Sequence, residues 1–190
     1  GFNKLYKLLT QQAAAGACLH KGLLKRPLND EPRAFMCDRT ATTELLVIDI
    51  DGLPYKTGNV GIGTVAEQIV LQLPECFHNV SYIAQASASL GFKKNTVSMH
   101  LFFLLDMPVH PKTLKDFIRM VNYDSNFLAE QITLSANGQS LSYILDPSVT
   151  DNSKLIYIAP PTFVGVKDPY LNERFVKVDR GSPTLEISSS

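Results

Sequence analysis

A short apolar run at residues 45–50 carries one aspartate, Asp49, among Leu, Val and Ile side chains. Runs of this length and β-branched content are typical of a strand that is buried on both faces, so we predict a central strand here. A second carboxylate, Asp51, follows two residues after the first. Because strand side chains alternate between the two faces of a sheet, Asp49 and Asp51 are expected on the same face.

The rest of the chain interleaves helical and strand patterns. Apolar residues at helical spacing predict one or two helices within 5–24, a helix from Ile62 that stops before Pro74, and a helix that begins at Pro111. Residues 26–43 are rich in Pro, Asp, Arg and Thr and are predicted to form a loop. Further strands are predicted at 80–85, 97–105 (a central strand), 141–145, 155–158, 175–178 and 185–187. This order indicates an α+β (mixed α/β) fold, a central mixed sheet with packed helices.

The length of 190 residues fits one compact domain. We predict a single domain over 1–180, with a helical, basic N-terminal part at 1–43 and the chemistry-bearing motifs within 44–160. The polar segment 181–190 is predicted to be a linker or tail.

Charge, cysteine content and hydropathy exclude several classes of protein. Basic and acidic residues number 18 each, which argues against a protein that coats nucleic acid through bulk positive potential. Residues 1–40 nevertheless hold seven basic and three acidic side chains, which permits a weak phosphate-contacting surface. The three cysteines lack CxxC spacing, so they indicate neither a disulfide scaffold nor a zinc module and favour a reducing compartment. No apolar run approaches the roughly 20 residues that cross a bilayer, so we expect a cytoplasmic protein without a membrane partner.

The two aspartates at the first strand are the strongest chemical signal. Two like charges in an apolar setting are strongly disfavoured unless a positive group lies between them. Hard divalent cations such as Mg²⁺ bind to one or two carboxylates together with waters and substrate phosphates. The pair therefore predicts a metal site, and the alternative is that Asp51 and Gly52 simply begin a turn.

A second polar pair interrupts the predicted central strand. Ser98 and His100 are expected to share a face, where a substrate phosphate or a metal-bound water would satisfy them. The alternative is a histidine that is satisfied within the core. The preceding loop, 87–95, contains serines, a glycine and two lysines, of which Lys94 is the second, and this composition favours anion binding.

Two further residues complete the pattern. Asp146 ends the predicted strand at 141–145 and precedes Pro147, although an aspartate before proline is also a common turn former. Lys154 opens the predicted strand at 155–158. Carboxylates for metals and cations for a triphosphate together predict a two-metal phosphoryl-transfer site.

The order of these motifs resembles the archaeo-eukaryotic primase superfamily, the primase-polymerases of plasmid and phage replication. The matching motifs are hhhDhDG at 46–52, Ser-x-His at 98–100, a hydrophobic residue and Asp at 145–146, and a basic residue at 154. The resemblance spans roughly residues 45–160. This chain departs from the family in having its basic residues near the second motif at 93 and 94 rather than close before the serine, and in having Lys rather than Arg after the third motif.

The resemblance implies a sheet with an RNA-recognition-like catalytic half and a template-directed nucleotidyltransferase, a DNA primase or primase-polymerase. It implies two divalent ions, Mg²⁺ or Mn²⁺, in the site. The metal-ligating and catalytic residues that it implies are Asp49, Asp51 and Asp146. The nucleotide-binding residues that it implies are Ser98, His100, Lys154 and Lys94. The implied partners are nucleoside triphosphates, a single-stranded DNA template with its primer, and a fused or associated helicase, in a bacterial, archaeal or phage-infected cell.

One other enzyme interpretation and one other candidate phosphate-binding segment remain open. Residues 47–52 are also similar to the opening motif of haloacid-dehalogenase-like phosphatases, with Asp49 as nucleophile and Asp51 as acid/base, although that family has Thr where this chain has Leu53. The glycine-rich segment 58–63 either leads into a helix or cradles a phosphate.

A non-enzymatic interpretation also remains open. The domain would be a replication initiator or a single-stranded-DNA-binding module. It would use the basic N-terminal region together with the aromatic residues Tyr82, Phe92 and Tyr157.

Overall fold

The computed structural model describes residues 1–56, 61–170 and 173–187, and they form an α+β fold, as predicted. The helices are α1 (Phe2–Ala14), α2 (Arg33–Met36), α3 (Ile62–Val70), α4 (Pro111–Asp124) and α5 (Asn126–Ala129), with 3-10 turns at Glu75–Phe77 and Pro147–Thr150. The strands are β1 (Cys18–His20), β2 (Thr43–Pro54), β3 (Tyr82–Ala86), β4 (Thr96–Val109), β5 (Thr133–Leu134), β6 (Leu141–Ser142), β7 (Leu155–Tyr157) and β8 (Phe175–Val178).

The central layer is a four-stranded sheet in the order β2, β4, β3, β8, and each neighbouring pair is antiparallel. The prediction of a central strand at 97–105 is confirmed by β4. The prediction of a central strand at 45–50 is wrong in position, because β2 lies at the edge of this sheet. The expected mixed sheet is also corrected, since the parallel contacts described are two isolated bridges, Val80 with Ser182 and Leu105 with Leu185.

One face of the sheet is covered by α3 and α4. Alternate apolar residues of β2 and β4 point to this face, and the buried residues of α3 and α4 pack against them. Helix α4 begins at Pro111, where a missing N–H costs nothing, and its buried positions recur every three to four residues. Those positions are Leu114, Ile118 and Val121.

The opposite face of the sheet is apolar at one end and polar at the other. Helix α1 and the two-stranded sheet of β1 and β7 cover the apolar end, where Val47 of β2 and Phe102 of β4 are buried. The next residues on this face of β2 are Asp49 and then Asp51. On β4 the next residues on this face are His100 and then Ser98. Polar side chains of two neighbouring strands therefore lie together at this end of the face.

The N-terminal region differs from its prediction. Helix α1 ends at Ala14, and Gly16 has a φ of +78°, a conformation that favours glycine and that stops a helix. Residues 18–20 then form β1 rather than a second helix. The expected loop at 26–43 contains the short helix α2.

Part of the basic charge of this region has partners within the fold. Lys21 is buried. Arg26 pairs with Glu31, and Arg39 pairs with Asp151. The predicted phosphate-contacting surface therefore loses three of its seven cations.

The C-terminal prediction is corrected over residues 181–187. Ser182 bridges to Val80, and Leu185 is fully buried against Leu105. This stretch packs on the domain and is not a free linker, because it supplies an apolar side chain to the core. Residues 188–190 lie outside the described residues, as do residues 58–60 of the glycine-rich segment 58–63.

Two further observations concern the whole described chain. Across residues 1–56, 61–170 and 173–187, no helix has the length and apolar content needed to span a membrane. The three cysteines are free thiols, with Cys37 buried and Cys18 and Cys76 exposed.

Lys21 gives a prediction about stability and pH. Lys21 is 8% exposed, its Nζ donates to the carbonyl oxygen of Leu45 at 2.8 Å, and burial lowers its pKa from 10.5 to about 8. Between pH 8 and 10.5 the unfolded chain therefore keeps a proton that the folded chain has released, so folding becomes more favourable as the pH rises. We expect the wild type to gain about 3 kcal/mol relative to Lys21→Met over this interval.

The measurement is urea unfolding of both proteins at several pH values. The difference between their unfolding free energies cancels the titration of all other groups, because both proteins share those groups. Lys25→Met, at an exposed lysine four residues away, serves as the matched control and should show a difference from wild type that does not change with pH. A constant difference for Lys21→Met would contradict the prediction.

Candidate active site

Asp49 and Asp51 lie where β2 passes beyond the apolar cluster. The pairing of β2 with β4 shifts between Ile50 and Leu53, so that β2 has one extra residue at this point. Gly52 lies within this bulge and takes a φ of +70°, which other residues adopt only with strain. The result agrees with the expectation that both carboxylates lie on the same side, since both line one pocket.

Ser98 holds Asp51 and the bulge together. Its hydroxyl donates to Oδ1 of Asp51 at 3.3 Å and accepts the backbone N–H of Gly52 at 2.8 Å. Ser98 is buried, so these bonds satisfy a hydroxyl that the sequence placed on an otherwise apolar strand.

His100 lies beside Asp49 on the neighbouring strand. The two residues are directly paired in the β2–β4 register, and Nε2 of His100 is 3.4 Å from Oδ1 of Asp49. The other ring nitrogen, Nδ1, is 2.9 Å from Oε1 of Gln85. The imidazole is thus held between a carboxylate and an amide, and its side chain is 14% exposed.

Asp146 reaches the same place by backbone pairing. Leu145 forms an antiparallel bridge with Ile50, and the N–H of Asp146 donates to the carbonyl oxygen of Asp49 at 3.1 Å. The carboxylate of Asp146 accepts both the backbone N–H and the hydroxyl of Ser148, each at 2.9 Å. It therefore caps the turn at Pro147–Thr150, as the turn-former interpretation predicts, and it also lines the pocket.

The three aspartates line one pocket of about 460 Å³. Among the residues described as lining it there is no Lys, Arg or His, so three acidic groups face a common space without a basic side chain in its wall. The opposite wall is the hairpin of β5 and β6. Four of its hydroxyl residues lie on one face because they alternate along paired strands: Thr133, Ser135, Ser140 and Ser142.

Tyr143 adds a phenol to this wall. Its hydroxyl is 3.1 Å from that of Tyr123, and this hydrogen bond raises the pKa of Tyr143. The phenol is therefore neutral at physiological pH, and the charge of the pocket comes from the carboxylates.

The donor set suits a hard divalent cation, because carboxylate and hydroxyl oxygens are the ligands that Mg²⁺ and Mn²⁺ prefer. The side chains are not gathered around one point, however. In the described part of the chain, no three His, Cys, Asp or Glu side chains are close enough together to hold a metal ion as they stand. Each aspartate is turned towards an internal partner, Asp49 to His100, Asp51 to Ser98 and Asp146 to Ser148. A metal ion held by all three aspartates would therefore require their carboxylates to move closer together.

The two lysines of the predicted site are not part of this pocket. Lys154 is exposed at the start of β7, where its backbone pairs with Lys21. Lys94 is exposed in the loop between β3 and β4. Neither is among the described residues that line the pocket, so the structure brings together five of the seven predicted residues.

Sequence reasoning missed Gln85 and the β5–β6 hairpin. Gln85 stands in a strand of otherwise small and apolar residues, and a buried amide in such a strand is a signal that could have been used. The alternation of hydroxyl residues at 133, 135, 140 and 142 around the Asn137-Gly138 turn was also readable. Nothing in the sequence indicated that this hairpin would face the aspartates.

Comparison of the chain with protein-family models, with curated proteins and with solved structures found no match.

Proposed function

We propose that this domain is a nucleotidyltransferase that extends a nucleic-acid strand on a single-stranded template, a DNA primase or primase-polymerase. The observation that carries the proposal is the pocket shared by Asp49, Asp51 and Asp146, whose described lining contains no basic residue. The motif order that resembles the primase-polymerases supports it.

Repulsion between carboxylates is the reason why we expect such a pocket to bind cations. Three carboxylates around one space repel one another, and the repulsion is strongest where water is partly excluded. A divalent cation removes this penalty, whereas a metal-free phosphate would add to it. In the proposal, Asp49, Asp51 and Asp146 are the ligands of two Mg²⁺ or Mn²⁺ ions. Such ions, when bound, activate a 3′ hydroxyl and stabilise the charge on a leaving pyrophosphate.

The wall formed by the β5–β6 hairpin and Tyr143 is uncharged, which suits the sugar and the base of a nucleotide. Hydroxyl groups of the β5–β6 hairpin can hydrogen-bond to a sugar, and Tyr143 offers an aromatic surface with a neutral phenol. Ser98 contacts Asp51 and His100 contacts Asp49, and neither is among the described residues that line the pocket; we assign both to the nucleotide phosphates. Lys154 and Lys94 are kept as phosphate-binding candidates only for a longer substrate, because both lie outside the pocket.

A second function is favoured by an aromatic pair at the β3–β4 loop. The rings of Phe92 and Phe163 are 5.0 Å apart, Phe92 is 42% exposed, and Lys93 and Lys94 follow it. Aromatic rings beside lysines suit the stacked bases and phosphates of single-stranded DNA. Of the other two aromatic residues proposed from the sequence, Tyr157 is exposed, but Tyr82 is buried and is excluded from such a surface.

The test is incorporation of labelled nucleotide with Mg²⁺ or Mn²⁺ and a single-stranded template, with and without a primer. We expect a metal-dependent product longer than the primer, and product without a primer would identify a primase. A lack of incorporation, combined with a rise in melting temperature when single-stranded DNA alone is added, would contradict the proposal and support the binding module. Release of inorganic phosphate from a monophosphate ester would support the phosphatase instead.

A further inference from the structure

Gln85 connects the sheet to the layer that covers it. It lies in β3, is 4% exposed, and pairs directly with His100 in the β3–β4 register. Its Nε2 lies 3.2 Å from the carbonyl oxygen of Tyr157 and 3.3 Å from that of Ile158. Both of these acceptors belong to the chain at the end of β7.

These two contacts determine which way the amide points. Carbonyl oxygens only accept hydrogen bonds, so the NH₂ group of Gln85 must face Tyr157 and Ile158. The amide oxygen then faces His100, and Oε1 is 2.9 Å from Nδ1. A reversed amide would set oxygen against two carbonyl oxygens and leave buried acceptors without a donor, which is costly.

The orientation of the amide in turn determines the protonation of one ring nitrogen. Oε1 has no hydrogen to donate, so the hydrogen bond exists only if Nδ1 of His100 carries a proton. The second nitrogen, Nε2, is then the one directed at the carboxylate side of the site, 3.4 Å from Oδ1 of Asp49. When the ring nitrogen that faces away from a site donates to a fixed acceptor, the histidine is held in one tautomer and one ring orientation.

We propose that Gln85 is a positioning residue that keeps Nδ1 of His100 protonated and so presents Nε2 to the substrate beside Asp49. The assignment of that substrate as a nucleotide phosphate rests on the proposed function, whereas the state of the ring rests on the hydrogen bonds alone. Gln85 touches no substrate in this proposal and acts through His100.

The first test needs no substrate. Long-range ¹H–¹⁵N correlation spectra report which nitrogen of each of the four histidines carries a proton, and loss of one set of signals in His100→Ala assigns His100. We expect Nδ1 of wild-type His100 to carry a proton, because it donates to Oε1 of Gln85. A neutral ring with its proton on Nε2 alone would overturn the proposal. The state of the ring is read on the wild-type protein, and His100→Ala serves only to assign the signals.

The second test removes the amide. Gln85→Met keeps the length of the side chain but loses its three hydrogen bonds, so His100 should become a mixture of tautomers. Ser81→Ala is the matched control, because Ser81 is also buried beside β3 and bonds to the backbone of Arg180, but it does not touch His100. The control should lose stability and keep the His100 spectrum, and an unchanged spectrum in Gln85→Met would count against the proposal.

A third measurement separates this inference from the proposed function. In the incorporation assay, Gln85→Met should raise KM for nucleotide about 3- to 10-fold, the equivalent of one hydrogen bond, with a smaller change in kcat. If the spectra agree with the proposal but no preparation incorporates nucleotide, the positioning role stands and the nucleotidyltransferase is wrong. If the protein is active and wild-type His100 has the other tautomer, the positioning role is wrong and the activity stands.

Discussion

Asp49→Asn combined with Asp51→Asn is expected to abolish metal-dependent nucleotide incorporation, with a fall of at least about 1,000-fold in kcat. Asparagine keeps the size and the hydrogen-bonding shape of each side chain but removes the negative charge that a divalent cation needs. The bulge at Gly52 and the β2–β4 pairing depend on backbone contacts and on Ser98, so they remain. The activity should therefore disappear without loss of the fold.

Two comparisons make this prediction specific. The double variant should be about as stable as the wild type in urea, because Asp51 is exposed and Asp49 is half-buried, so neither charge is part of the core. Asp106→Asn, at an exposed carboxylate on β4 outside the pocket, should retain full activity. Incorporation that survives in the double variant would show that these carboxylates do not hold the catalytic ions.

Arg174→Met is expected to cost about 3–5 kcal/mol of folding free energy, the usual result of breaking a buried ion pair from one side. The guanidinium group of Arg174 makes two hydrogen bonds to the carboxylate of Asp168, at 2.8 and 2.9 Å, and two to the carbonyl oxygens of Ala86 and Ser87. Both charged side chains are more than 90% buried. The substitution would leave a buried carboxylate without its counterion.

The dependence on pH separates this effect from a simple loss of packing. Burial raises the pKa of Asp168, but the hydrogen bonds from Arg174 outweigh it and hold this pKa below 3.8. The stability from this pair is therefore present above pH 3.8 and is lost as the pH falls through the folded-state value. Urea unfolding should show a gap between wild type and Arg174→Met that narrows in acid.

Two further variants complete the measurement. Adding Asp168→Asn to Arg174→Met should recover part of the lost stability, because the unpaired charge is then gone. Arg119→Met is the control at an exposed arginine, where surface pairing with Asp116 contributes little and the change should be below about 1 kcal/mol. A loss of that small size in Arg174→Met would mean that the buried pair contributes little to the stability of the domain.

Arg174 also bears on the site, since it holds the end of β3. Ser87, whose carbonyl oxygen it binds, donates its N–H to the carbonyl oxygen of Ser98. Ser98 in turn contacts Asp51. We therefore expect partial loss of activity in any Arg174 variant that still folds.

The parts of the fold that depend on local pattern could be read from the chain. The apolar run at 97–105 has the composition of a doubly buried strand, and it forms the centre of the sheet. Pro111 with apolar residues at helical spacing was enough to start α4 at the observed residue. The alternation of strand side chains placed Asp49 and Asp51 on one side, and it did the same for Ser98 and His100.

Long-range pairing was not readable in this way. Residues 45–50 have a central-strand composition because both faces of β2 are covered, and burial of the faces does not reveal that the strand lies at the sheet edge. Tyr82 is polar enough for a surface, yet it is buried beneath α3. Leu185 lies in a segment with the composition of a linker, but a single side chain with a place in the core was enough to fold that segment onto the domain.

The candidate site likewise combines features that local sequence pattern predicts with features that depend on long-range pairing. Residue types and local spacing supplied two pairs of polar groups on two strands. The proximity of Asp146 to Asp49 required the chain at 144–146 to pair with the free edge of β2, a contact between residues almost a hundred positions apart. The hydrogen bond between Gln85 and His100 required β3 and β4 to pair in one particular register. Periodicity in a sequence says which face a side chain occupies, whereas partners across strands are selected by the packing of the whole chain.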